Sequence, residues 1–143
     1  MKMGLVFLLS VFLVSYLLGS LLENNKQTES FFNKSTCDLL NGSCHIVNRD
    51  IEYEIAFDGV PSPLTPFGIR LTALDSKISH VEIEFEMEEM DMGNNFYSLE
   101  NKGKYWNAQV LLPVCSLGRN DWLLRVNVVN DEEMYSTELK FSQ

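Results

Sequence analysis

Basic residues are scarce in this sequence. The 143 residues include 11 Lys and Arg against 20 Asp and Glu, a formal net charge of −9 at pH 7. A surface of this sign repels the phosphates of nucleic acids and of anionic lipid headgroups. The composition therefore predicts no nucleic-acid partner, and it suits either a solvated surface or a cationic partner.

Motifs for zinc binding and for catalysis are also missing. The two histidines lie in no H-x-x-H or H-E-x-x-H pattern, and no C-x-x-C pair is present. There is no glycine-rich phosphate loop and no G-x-S-x-G nucleophile motif. We therefore predict that the protein is not an enzyme.

Charge is entirely absent from residues 4–22, a run of 19 positions. An α-helix needs about 20 apolar residues to cross a bilayer, so residues 1–22 are predicted to form a transmembrane anchor. A cleaved signal peptide is the alternative, but it usually has a shorter apolar core and an A-x-A-like cleavage site. Either interpretation exports the rest of the chain, and we expect a single-pass inner-membrane protein with its C-terminal domain in the periplasm.

The polar residues 23–36 are predicted to be a linker, and residues 37–143 a single extracytoplasmic domain. Ile51–Phe57 and Val81–Met87 alternate between apolar and polar side chains, a pattern typical of strands with one buried face. Further strands are predicted at 67–73, 96–100, 105–112, 122–129 and 134–141. About seven short strands indicate an all-β, immunoglobulin-like antiparallel sandwich, with Trp106 and Trp122 in its core.

Three cysteines are present. Cys37 and Cys44 flank the turn-forming residues 41–43, and we predict a disulfide bond between them. Cys115 is then left over. It could be buried and inert, pair with another chain, or act as a metal ligand.

Methionines cluster after the strand that begins at Val81. Met87 continues the apolar face of that strand, whereas Met90 and Met92 follow it beside a glycine. Thioether and thiolate sulfur are soft ligands that suit Cu(I), so Met90, Met92 and Cys115 form a candidate copper site. Either His45 or His80 could supply a fourth ligand. The alternative is that the methionines fill gaps at the end of the core.

The sequence M-D-M-G-N-N at 90–95, L-P-V-C at 112–115, G-R-N-D-W at 118–122 and the C-x6-C pair resemble a group of uncharacterised, membrane-anchored bacterial proteins. The resemblance covers about residues 37–141. In the G-R-N-D-W motif, Arg119 and Asp121 are predicted to form a structural ion pair at a turn into a strand.

More loosely, the layout is similar to the YtkA-like and FixH-like domains. Those are anchored extracytoplasmic β-sandwiches associated with copper handling or cytochrome oxidase assembly. The resemblance implies an accessory domain that binds Cu(I) in a chaperone or assembly role. The sequence departs from the best copper carriers because it lacks their histidine- and methionine-rich segments. A metal-free module that docks on a larger membrane complex is therefore the alternative.

Overall fold

The computed structural model describes residues 30–74, 77–90, 92–93, 95–131 and 133–142. The predicted anchor at residues 1–22 and the first part of the predicted linker lie outside these residues. Within the described part of the chain, no helix is both long and apolar enough to cross a membrane.

Ten strands and one short 3₁₀ turn at Leu39–Asn41 make up the described secondary structure. The strands are β1 (Ser30–Ser35), β2 (Cys44–Asn48), β3 (Ile51–Asp58), β4 (Phe67–Ala73), β5 (His80–Glu86), β6 (Phe96–Ser98), β7 (Glu100–Asn101), β8 (Trp106–Val110), β9 (Asp121–Asn130) and β10 (Glu133–Ser142).

The strands form two five-stranded sheets. One has the order β1-β10-β9-β5-β6, and the other has the order β2-β3-β4-β8-β7. Neighbours pair antiparallel, except β1 and β10, which are parallel. The prediction of an all-β sandwich is confirmed. Strands occur in all seven predicted regions, and β1, β2 and the short β7 are additional.

Period-two alternation decides which side of each strand is buried. In β5, Val81, Ile83 and Phe85 are almost fully buried, and the intervening glutamates are half-exposed. On that outer face Arg125 of β9 bonds Glu84 and Glu86. The glutamates of β5 therefore form a solvated face that one arginine partly neutralises, as expected for a strand with one side in water.

Residues 30–35, assigned above to the linker, pair along β10 as β1. Phe31 packs on Tyr135 with ring centroids 5.2 Å apart. The buried Asn48 side chain of β2 donates to the Phe31 and Ser136 carbonyls, at 3.4 and 3.2 Å. The sheet thus includes residues beyond the predicted domain boundary, because β10 offers an edge and Phe31 an apolar contact.

The predicted disulfide between Cys37 and Cys44 is confirmed, with a Cα–Cα distance of 5.8 Å. It closes the connection by which the chain leaves β1 in one sheet and enters β2 in the other. Cys44 is fully buried. The bond therefore fixes the crossover between the two sheets at its start.

Four phenylalanines close the sandwich at one end. Phe57 and Phe67 come from one sheet, and Phe85 and Phe141 from the other. Each ring meets the next edge-on, and the centroid distances around the set are 5.2, 5.3, 6.0 and 6.3 Å. We call this set the phenylalanine ring. The loops at residues 59–66, 87–95 and 111–120 all leave from this end of the sandwich, which we call the loop end.

Replacing Phe141 with alanine should lower the free energy of unfolding by about 3–5 kcal/mol, because the side chain is 4% exposed and its loss leaves a cavity. Phe32→Ala is the matched control, since Phe32 is 62% exposed and should change stability by less than about 0.5 kcal/mol. Chemical denaturation measures both values. Equal losses in the two variants would contradict the described core.

Removing the disulfide with Cys37→Ser/Cys44→Ser should cost about 2–3 kcal/mol, because the bond restricts a short loop in the unfolded chain. Denaturant titration of the double variant and of the reduced wild type should give the same loss. Reduction should lower the stability of the Cys115→Ser variant and of the wild type by the same amount, since Cys115 forms no disulfide.

Candidate metal centre

The first sulfur-bearing loop begins where β5 ends. The chain turns at once, and the Met90 amide donates to the Met87 carbonyl at 3.2 Å. Glu89 takes a positive φ of 60° and Gly93 one of 70° within this excursion. The chain rejoins the sheet at Asn95, whose carbonyl accepts from the Phe85 amide at 3.0 Å. Asp91 and Asn94 lie outside the described residues.

The second loop joins β8 of one sheet to β9 of the other. Its start is held by Tyr97, whose hydroxyl donates to the Leu111 carbonyl at 2.8 Å and accepts from the Leu111 amide. Further along, the Gly118 amide donates to the Cys115 carbonyl at 3.1 Å. This turn holds Cys115 at the loop end, where it is 8% exposed.

The two loops bring two sulfur atoms together. The Cys115 thiol donates to Met90 Sδ with a sulfur–sulfur distance of 3.5 Å. Met90 and Met92 are both half-buried and pack against the core. Met92 also shares a cleft with Met90. We call Cys115 Sγ and Met90 Sδ the sulfur pair.

Arg119 joins the loops to each other. Its Nη1 donates to the Glu88 carbonyl at 3.0 Å, and its Nε donates to Asp121 Oδ1 at 2.9 Å. The predicted Arg119–Asp121 ion pair is therefore formed, with a second bond from Nη2. These hydrogen bonds hold the pKa of the Asp121 carboxyl below its usual range. The same hydrogen bonds with Asp121 raise the pKa of Arg119.

An acidic cleft of about 390 Å³ adjoins the methionines. It is lined by Met87, Met90, Met92, Phe85, Gly93 and three carboxylates, Glu84, Glu86 and Glu89. Arg125 bonds two of these carboxylates, Glu84 and Glu86, so the three carboxylates and this arginine together keep a net negative charge. A negatively charged cleft concentrates cations. Cations are therefore favoured beside the methionine sulfurs.

The structure does not bring either histidine to the sulfur pair. His80 begins β5 and bonds Glu82 at 3.0 Å, roughly 20 Å along the strand from the loop that carries Met90. His45 is exposed on the edge strand β2, where it bonds Glu52 at 2.6 Å. Three strand spacings, roughly 14 Å, separate β2 from β8. Both histidines therefore lie away from the sulfur pair in the structure.

In the described part of the chain, no three His, Cys, Asp or Glu side chains converge where they could hold a metal ion. A metal at the loop end would therefore depend on thioether sulfur, which hard cations and zinc rarely use. The donor set of one thiol and two thioethers fits Cu(I) best.

Two contacts were not predicted from the sequence. They are the bond from Arg119 to the Glu88 carbonyl and the bonds by which Tyr97 holds the start of the second loop. Both side chains bond main-chain groups, which carry no residue-specific signal. An arginine four residues after Cys115 was the clue that the sequence offered.

No protein-family model and no curated protein matches the chain. Among solved structures, one similar chain is an engineered protein determined by a structural genomics consortium. It is 12% identical, with a TM-score of 0.45, and the likeness covers 62% of this chain and 19% of that chain. The chain thus spans a small part of that protein, and this likeness carries no argument about function.

Arg119→Leu should release the second loop and increase the rate at which a thiol reagent modifies Cys115 several-fold. Of the three cysteines Cys115 alone is free, so the reagent reports on this site. Arg70→Leu is the matched control, because Arg70 of β4 also pairs with an exposed carboxylate, Asp58 of β3. Equal rates in the Arg119 variant and the wild type would show that Arg119 does not hold the loops.

Proposed function

We propose that this protein is an extracytoplasmic accessory domain that binds copper(I) through Cys115 and Met90, with Met92 as the third ligand. The observation that carries the proposal is the 3.5 Å distance between Cys115 Sγ and Met90 Sδ. Loops from different sheets bring these two residues, 25 positions apart in sequence, within 3.5 Å of each other.

The spacing suits a trigonal site. With metal–sulfur bonds of about 2.3 Å, two ligands 120° apart lie about 4 Å from each other. The sulfur pair would have to separate by only about half an ångström. The half-buried Met90 and Met92 lie on a short loop containing Gly93, which allows such a movement.

The state of the three cysteines also supports the proposal. Cys37 and Cys44 form a disulfide, which persists in oxidising compartments. Cys115 is almost buried, so oxidants reach it poorly. A thiol protected in this way stays available as a ligand. The acidic cleft beside Met90 would attract the cation before it binds.

We further propose that residues 1–22 anchor the domain on the extracytoplasmic side of the inner membrane, where it has a copper chaperone or oxidase-assembly role. The disulfide supports this compartment, and the apolar run supports the anchor. An immunoglobulin-type arrangement is supported by the strand orders β3-β4-β8-β7 and β10-β9-β5-β6, which match the A-B-E-D and G-F-C-C′ sheets of that fold.

The second candidate function is a metal-free module that docks on a larger membrane complex. One observation favours it. Two loops at the loop end, residues 59–66 and 111–118, carry exposed leucine and valine side chains and no charge. An apolar surface of this kind is typical of interaction sites.

Anaerobic titration of the full chain with Cu(I) against a competing chelator tests the copper proposal. We expect one Cu(I) per chain in the wild type, and at least about tenfold weaker binding in Cys115→Ser and in Met90→Leu, since each removes one ligand. Met92→Leu removes the proposed third ligand, so this variant should also bind Cu(I) more weakly than the wild type.

Met134→Leu is the matched control, because Met134 lies at the start of β10, at the opposite end of the sandwich. Its affinity should equal that of the wild type. No binding by the wild type, or equal binding by the Cys115 and Met134 variants, would refute the copper site and leave the docking module as the function.

A further inference from the structure

Two neighbouring loops at the loop end contain no ionisable residue other than Cys115. They are residues 59–66, GVPSPLTP, and residues 111–118, LLPVCSLG. Charged residues make up 22% of the chain, so two uncharged loops of this length on its surface are unusual. We call residues 59–66 and 111–118 the tip loops.

The tip loops are joined to each other. The Leu64 amide donates to the Leu112 carbonyl at 3.1 Å, and Pro63 and Leu112 form an isolated parallel β-bridge. Val60 is 83% exposed and Leu117 is 74% exposed. Leu64, Leu111 and Val114 are exposed too. Exposed apolar side chains gathered on adjoining loops differ from the scattered ones of an ordinary surface, and they mark an interaction site.

A cleft extends this surface. It has a volume of about 400 Å³ and lies between the first tip loop and the 3₁₀ turn. Its lining is mostly apolar, with Leu39, Leu40, Phe57, Val60 and Pro61. An apolar side chain of a partner could therefore enter the cleft while neighbouring groups cover Val60.

The border of the tip loops is acidic. Its carboxylates are Asp38, Asp58, Glu88, Glu89 and Asp121. Arg70, Arg119 and Lys140 pair with Asp58, Asp121 and Glu88, so these eight side chains keep a net negative charge. The chain as a whole has a net charge of −9. Like charges oppose both a second copy of this chain and an anionic bilayer as the occupant. A protein with Lys and Arg around an apolar contact face is complementary.

The direction of β1 argues against the anchoring bilayer as the occupant of this surface. Ser30 pairs with Met134 and Ser35 with Leu139, so the chain enters the described domain at the end opposite the tip loops. The ten residues of β10 span roughly 33 Å between these ends. Residues 23–29 could reach about 25 Å at most. With the proposed anchor, the tip loops face away from the bilayer that holds the domain.

We propose that the tip loops and the adjoining cleft are the docking surface for a second protein, whose apolar contact face is bordered by lysine and arginine. Docking covers Cys115, because Val114 and Leu117 lie on either side of it. The orientation rests on the proposed anchor, but the surface itself requires no bound metal.

Site-specific photo-crosslinking of the full chain, in membranes of cells that carry its gene natively, tests this surface. Benzoylphenylalanine replaces Val60, Val114 or Leu117 at the tip loops. Val47 of β2 and Phe32 of β1 are the control positions, since both are exposed away from the tip loops. We expect one heterologous protein adduct from the three tip positions and none from the controls.

The chemistry of the adduct decides the proposal. The cross-linked peptide of the partner should contain aliphatic residues together with Lys or Arg. The yield should fall several-fold at an ionic strength of about 1 M, where the screening length is about 3 Å. An adduct of twice the mass of the chain, lipid adducts, no tip adduct, or equal adducts from the controls would overturn the proposal.

A variant separates docking from copper binding. Val60→Ser/Leu117→Ser should reduce cross-linking from position 114 at least about tenfold, while thermal stability and Cu(I) affinity stay as in the wild type. Unchanged cross-linking in this variant would refute the docking surface alone. Loss of Cu(I) binding in Cys115→Ser with cross-linking intact would confirm that docking needs no metal.

Discussion

The phenylalanine ring is the constraint on which the loop end depends. Phe57 and Phe67 of one sheet meet Phe85 and Phe141 of the other, and every ring is in edge contact with its neighbours. Edge-to-face packing fixes both the spacing and the relative rotation of the two sheets. Because each phenylalanine lies near a loop, this packing also fixes where the loops begin. Tyr97 extends the ring through its contact with Phe85.

The sulfur pair is a consequence of that geometry. Met90 follows a strand of one sheet, and Cys115 follows a strand of the other. Neither loop could position a sulfur for the other without the packed sheets beneath them. Arg119 then joins the two loops by bonding the Glu88 carbonyl of the neighbouring loop. Packing thus provides the approximate position, and charge-assisted hydrogen bonds provide the final one.

Sequence patterns predicted the strands whose alternation is regular, such as Ile51–Asp58 and His80–Glu86, because burial on one face imposes period two. They did not predict β1, since six residues with two adjacent phenylalanines carry little periodicity. Its parallel partner β10 is about a hundred residues away in sequence. Soft-ligand chemistry singled out Met90, Met92 and Cys115, but the strand register was needed to show that both histidines lie away from the sulfur pair.

The same loop carries the thiol and much of the exposed apolar surface, and this links the two proposals. Val114 and Leu117 flank Cys115, so a protein that covers them also removes water from the sulfur pair. In the proposed complex, the scarcity of basic residues noted in the sequence would have a physical role, because the net negative charge would attract a basic partner and repel a second acidic copy.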